Sequence, residues 1–210
     1  SNLFVTALST GFGYTEGLAK TTTSLTYDKI WIDGKQNMAF IGLSMNTKVK
    51  VNQTDMITFD MKMKEKQMHH SADSASDSKL FEMGLGYSLP IGKDKLSLNT
   101  ALVTESKMGG TRVDIDKVTN KYKVAYDIKL PQSYTTTVSY SHDITKYTNM
   151  TTLSGSDNRE DKVNTLSLKV SKPINKTQTV SVEASDIANR SNHDAFKYKK
   201  QSVTANYTIL

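Results

Sequence analysis

Residues 80–103 read LFEMGLGYSLPIGKDKLSLNTALV, and the order of apolar and small polar residues in them decides the fold. Phe81, Met83, Leu85, Tyr87 and Leu89 recur at every second position, with Glu82, Gly84, Gly86 and Ser88 between them. A period of two puts the first set on one side of an extended chain and the second on the other. Gly92, Lys93 and Asp94 then make a tight turn, after which Leu96, Leu98 and Leu102 resume the alternation. The result is a hairpin with two unlike faces, and it poses one question: which face meets water.

The rest of the chain narrows the answer. Of the 210 residues 37% are apolar, a share too low to fill a large two-layer core. No cysteine is present, which excludes a disulfide framework and thiolate metal sites. The net charge of +6 is spread over strands and loops without a dense run or a basic stripe interleaved with aromatics, so nucleic acid is not an expected partner. No stretch approaches the ~20 apolar residues of a membrane helix. No signal peptide opens the sequence. An exported chain of this kind is therefore expected to be a processed or excised piece, with residues 1–210 forming one β-barrel domain at the C-terminal part of a longer protein.

Helical periodicity is nearly absent, and alternating β-formers recur along the whole length. Eleven strands are predicted, at roughly 3–14, 18–31, 37–51, 55–67, 79–90, 95–106, 111–130, 133–146, 161–172, 177–188 and 195–209. Pro90, Pro131 and Pro173 all fall at predicted strand ends, where a missing N–H does least harm. Short turns at residues 52–54, 92–94, 131–132 and 175–176 alternate with longer polar loops that begin near Met68, Lys107, Thr148 and Ala188. An up-and-down antiparallel sheet with one tight rim and one ragged rim produces that order.

Pooling the strands sharpens the faces. One gathers Ile41, Leu43, Ile57, Phe59, Phe81 to Leu89, Tyr122, Val124, Tyr140, Leu166, Leu168, Val182 and Tyr207; the other gathers Asp60, Lys62, Glu82, Lys123, Asp127, Lys129, Lys169 and Glu183 among Ser, Thr and Asn. The charged face must be hydrated or paired, because isolated buried charge is expensive. A soluble barrel or sandwich would turn the apolar face inward, and an outer-membrane barrel turns it out to lipid.

Strand length, rim asymmetry and the aromatics favour lipid. Strands of ten or more residues suit a tilted crossing of a bilayer. Tyr87, Tyr126, Tyr134, Tyr207 and Phe59 are expected near the tight rim and Trp31, Phe81, Tyr122 and Tyr140 towards the long-loop rim, as two membrane-interface belts. The predicted architecture is an all-β, up-and-down antiparallel transmembrane β-barrel of about 11–12 strands. Since single-chain bacterial barrels have even strand numbers, a twelfth strand is expected, upstream or within the chain.

The last residues, FKYKKQSVTANYTIL, resemble the final strand of bacterial outer-membrane barrels, where alternating apolar residues lead to a terminus read by the barrel assembly machinery. Val203, Ala205, Tyr207 and Ile209 fit that pattern, and Leu210 departs from it, standing where those proteins usually have Phe. Residues 84–118, GLGYSLPIGKDKLSLNTALVTESKMGGTRVDIDKV, together with the hairpin around Pro131, are similar to the C-terminal translocator barrel of autotransporters whose passenger is a subtilisin-like serine protease. That resemblance implies a twelve-stranded barrel that anchors and exports the domain preceding it. Its implied partners are the lipid bilayer, the assembly machinery and an upstream passenger or plug segment.

Motifs for chemistry are lacking. No G-x-S-x-G elbow occurs, and His142 and Asp143 are adjacent on a strand, so their side chains point to opposite faces and form no direct relay. His69 and His70 with Asp73 and Asp77 read as a solvated loop tip rather than a metal site, and the acidic run from Ser154 lacks calcium-loop spacing and reads as a mobile surface loop. The expectation is a non-enzyme of the bacterial outer membrane, without cofactor, metal or catalytic residue. Lumen-lining residues would be Asp60, Lys62, Glu82, Lys123, Asp127, Lys129, Lys169 and Glu183. A pore for small solutes and a soluble β-rich binding or adhesion module are the rival readings.

Overall fold

In the computed structural model the described residues are 3–32, 35–52, 54–68, 77–109, 114–151, 158–175 and 177–209. Eleven strands follow in chain order: β1 Leu3–Glu16, β2 Ala19–Ile32, β3 Lys35–Lys50, β4 Met56–Met68, β5 Ser78–Ile91, β6 Asp94–Lys107, β7 Lys117–Lys129, β8 Thr135–Thr151, β9 Asn158–Pro173, β10 Gln178–Ser191 and β11 Tyr198–Ile209. Each pairs antiparallel with its neighbour in sequence, giving one sheet of order β1 to β11. This is the up-and-down arrangement that the alternation of turns predicts. Among the described residues β1 and β11 each have one strand partner and do not pair with each other, and no twelfth strand appears.

The connections sort by rim. Gly17 and Gly92, at φ 55° and 62°, make the tight turns after β1 and β5, in the left-handed region where only a residue without Cβ is unstrained. After β7 the chain turns through a short 3-10 segment, Pro131–Ser133, with Tyr134 N–H donating to the Pro131 carbonyl at 3.4 Å. All these turns lie on one rim, and the connections after β4, β6, β8 and β10 lie on the other.

Several predicted boundaries move. β7 begins at Lys117 and not at 111, because Asp114, Ile115 and Asp116 belong to the connection before it. β8 runs on to Thr151 and β9 begins at Asn158, so residues read as a polar surface loop are strand. There the strands run on through Thr, Asn and charged residues, whose side chains carry little apolar signal for periodicity to detect.

Cross-strand registry leaves some positions no room for a side chain. A Cβ on Gly11 would stand 2.5 Å from the Thr23 carbonyl oxygen, a backbone atom that cannot move aside, whereas one on Gly13 would meet nothing closer than 3.8 Å. Gly11→Ala is therefore expected to destabilise the folded sheet by ~1–3 kcal/mol, the usual cost of overpacking, and Gly13→Ala to leave it nearly unchanged. Denaturant unfolding of the two variants in detergent checks this; equal midpoints would refute the close approach of β1 and β2.

Candidate functional site

The two faces of the sheet have inverted solvent exposure relative to a soluble protein. Met83, Leu85 and Tyr87 are 54%, 48% and 37% exposed, and Leu25, Ile41, Leu98, Val124, Leu166 and Val182 on neighbouring strands share their side and their exposure. On the opposite, concave face Ser139, Ser167, Ser181 and Asn189 are buried, while the buried apolar side chains among the described residues are Ala39, Val103 and Ile115. Apolar surface is normally what folding hides. An outward apolar sheath of this extent is stable only against another apolar phase.

The sheath has the height a bilayer asks for. From Phe81 to Ile91 the outward positions of β5 span ten residue steps, which at ~3.3 Å per residue and a tilt of ~40° rise about 25 Å. Phe59, Tyr122, Tyr140 and Tyr207 are exposed on this side with Tyr87, and Trp31, Phe81 and Tyr126 occupy positions of the same parity.

At the tight rim the tyrosines are held by acids. Tyr87 Oη donates to Asp55 at 2.7 Å and Tyr126 Oη donates to Asp94 at 3.2 Å, each acid lying at the turn that precedes the strand before the tyrosine's own. Asp94 also accepts from Lys129 N–H at 2.8 Å. The Tyr87 hydroxyl, with Thr54 and Asn52, holds the Asp55 carboxyl below the usual carboxylate range. Tyr134 is covered instead by Lys172, whose Nζ stands 4.6 Å from the ring centroid. Further along the strands Tyr122 sits opposite Thr100 and His142, and Tyr140 opposite Val124 and Leu166, where the apolar rows of β8 and β9 end.

The concave face carries a lattice of paired charges. Glu82 takes Lys62 at 2.9 Å and Lys121 at 3.5 Å, reaching across β6 where Ala101 lies beside Gly84. Asp60, Lys123 and Asp143 are the other charged residues lining this recess of about 320 Å³. Towards the long-loop rim Glu105 gathers Lys117 at 2.9 Å, Lys66 at 3.8 Å and the Ser78 hydroxyl at 2.8 Å. Towards the tight rim Asp127 takes Lys95 at 3.1 Å and the Thr137 hydroxyl at 2.6 Å. Lys169 and Glu183 lie directly opposite each other across β9 and β10, and Lys129 Nζ donates to Thr135 at the rim. Asp60 accepts from Asn46 at 2.6 Å. All eight predicted lumen positions thus share one face, but the structure gathers only Asp60, Lys62, Glu82 and Lys123 in one recess.

Sequence reasoning missed two groups. Arg159, read as part of a surface loop, is buried on β9; it pairs with Asp161 and lies between the rings of Tyr147 at 4.3 Å and Phe196 at 3.3 Å. Phe196 comes from the β10–β11 connection, which is also held by Asn189 Nδ2 donating to the Phe196 carbonyl at 2.7 Å. The second group is a repeated rim device. Asp77 accepts from Met68 N–H through its carboxylate at 2.6 Å and from Met108 N–H through its carbonyl at 2.9 Å. Asp116 does the same with Lys107 N–H at 2.8 Å and Thr148 N–H at 2.9 Å. Both stand one residue before a strand that follows a long connection, a spacing visible in the sequence once the strand starts are known.

His142 and Asp143 face opposite sides, with the His142 ring nitrogen 2.8 Å from Asn164 Oδ1. His69, His70 and Asp73 lie outside the described residues, and among those that are described no cluster of His, Asp and Glu suited to a metal ion occurs.

No family model matches the chain, and no curated protein matches it. Among solved structures, the chain is similar to a membrane protein from work on the mechanism of in-meso crystallization, at 14% identity and a TM-score of 0.50, over 98% of this chain and 79% of that one. It is also similar to the beta domain of the Bordetella autotransporter BrkA, at 11% identity and a TM-score of 0.42, over 99% of this chain and 90% of that one. The first likeness extends over nearly the whole sheet and is one of fold.

Leu85→Arg, at the middle of the outward face, is expected to lower folding stability in lipid by ~2–4 kcal/mol, and Lys93→Gln in the tight turn by almost nothing; equal refolding of both into vesicles would contradict a lipid-facing Leu85. At the long-loop rim the Lys107 backbone N–H holds the Asp116 carboxyl below its ordinary range. A depressed pKa means a contribution present above the unfolded-state value and lost as pH falls through the folded one. Acidification should therefore lower the protection of the Lys107 amide against exchange, relative to its intrinsic rate at each pH, while Asp116→Asn shows low protection already at neutral pH.

Proposed function

We propose that this chain is the translocator of a type V secretion system, an outer-membrane β-barrel that anchors an N-terminal passenger and passes it across the membrane. The observation that carries the membrane reading is the inversion of the sheet, with Leu85 and its neighbours exposed and the serines of the concave face buried. The export reading adds two supports: the resemblance of residues 84–118 to autotransporter barrels, and a concave face whose charges are of both signs and mutually paired, which suits a polypeptide of arbitrary sequence better than one selected ion. In this reading one further strand lies between β1 and β11 and closes the barrel, because an unpaired strand edge in hydrocarbon is costly. The chain itself performs no catalysis. The concave face meets the moving polypeptide, and β11 meets the assembly machinery.

A reporter domain fused ahead of residue 1 and expressed behind a signal peptide in a Gram-negative host tests the proposal. The expected outcome is a detergent-dependent barrel with the reporter on the cell surface, open to added protease. A barrel that inserts, conducts in planar bilayers and leaves its reporter inside would favour the solute pore. Monodisperse behaviour in buffer without detergent would overturn the membrane reading and leave the soluble adhesion module.

A further inference from the structure

The outward face is not symmetric between its two ends. On β8 to β11 the apolar rows end at Tyr140 and Leu166, and Asp186 and Gln201 lie level with them on the next two strands. One row further towards the long-loop rim stand His142, Asn164, Ala188 and Lys199, then Ile144, Lys162 and Arg190, then Lys146 and Glu160. Lys146 and Lys162 have side chains 68% and 50% exposed, and both lean on one acid, Glu160, at 3.6 and 2.9 Å. Arg190 lies beside Lys162 in the ladder, and neither it nor Lys199 meets a carboxylate among the described residues. Four cations therefore face outward here against Glu160 and the lower Asp186. At the opposite end of the same face the turn acids Asp55 and Asp94 are taken by tyrosines.

We infer that Lys146, Lys162, Arg190 and Lys199 form a docking surface for the phosphate-bearing headgroups of anionic lipid in the leaflet at the long-loop rim. The inference rests on the barrel reading above, which places these rows just beyond the apolar sheath. Successive rows are ~7 Å apart along a strand, so the cations begin at headgroup depth. There, flexible side chains keep their stems on the apolar surface and their charges in the polar layer. Arg190 supplies a planar pair of donors for phosphate oxygens, and Lys146, Lys162 and Lys199 supply point charges around it. Sharing Glu160 leaves the patch with net positive charge, which is the complement of such a surface.

The full chain is inserted into vesicles of phosphatidylcholine with and without phosphatidylglycerol, and the preference of its boundary layer for spin-labelled phosphatidylglycerol is measured. The native chain should prefer the anionic lipid, and each cation removed in the double variant Lys162→Gln, Arg190→Gln should reduce that preference roughly fivefold. Lys93→Gln, in the turn at the other rim, should leave it unchanged, and millimolar inorganic phosphate should fail to displace the lipid. Undiminished preference in an inserted double variant, an equal loss in Lys93→Gln, or displacement by inorganic phosphate would each overturn the lipid assignment. Failure of the native chain to enter the bilayer would overturn the barrel reading, and the patch with it.

Discussion

Everything in this structure follows from the need to satisfy backbone N–H and C=O groups where no water reaches them. In hydrocarbon each unsatisfied group costs several kcal/mol, which leaves a continuous ladder as the only way an extended chain can cross. Strands β2 to β10 each have a neighbour on both sides, with irregularities among the described residues only at Ile30/Trp31 and between Lys146 and Thr151. Both irregular points lie towards the long-loop rim, where water can complete what the ladder leaves undone. The remaining demand is concentrated in two places, the outer edges of β1 and β11.

Once the ladder is fixed, the pleat sorts the side chains, and a second constraint acts on the concave face. Charges there are tolerated because they come in shared sets, with Glu82 serving two lysines and Glu105 serving two lysines and a hydroxyl. Small residues between the charges make the sharing geometrically possible. Gly84 has Asp60 on one side and Thr100 and Ala101 on the other, so any larger side chain would fill the space through which Glu82 reaches Lys121. Hydroxyl pairs such as Ser24 with Ser44 and Ser167 with Ser185 satisfy further polar groups of this face without charge.

How much of this could be read from the letters depends on which force placed each residue. Alternation from Phe81 to Leu89 revealed the strand and its two faces, because a period of two and a burial difference write the same pattern. The sign of that difference was not in the pattern: Leu85 outward and Leu85 inward have identical sequences, and only strand length and aromatic placement leaned towards lipid. Arg159 was missed for a different reason. Its partners Tyr147 and Phe196 are distant in sequence, and the run around it has the composition of a loop. Asp77 and Asp116 were invisible as a pair because their common role depends on where the next strand starts, the least legible feature of any strand.

The buried arginine has a consequence for the last strand. Arg159 on β9 holds Phe196, and Phe196 fixes the connection from which β11 departs, so three consecutive elements share one rigid corner. A strand leaving a braced corner loses little further conformational entropy when its free edge is paired. In the barrel proposed above, β11 is thus presented as a template already in register, and the ordering that a closing strand requires falls on the newcomer alone.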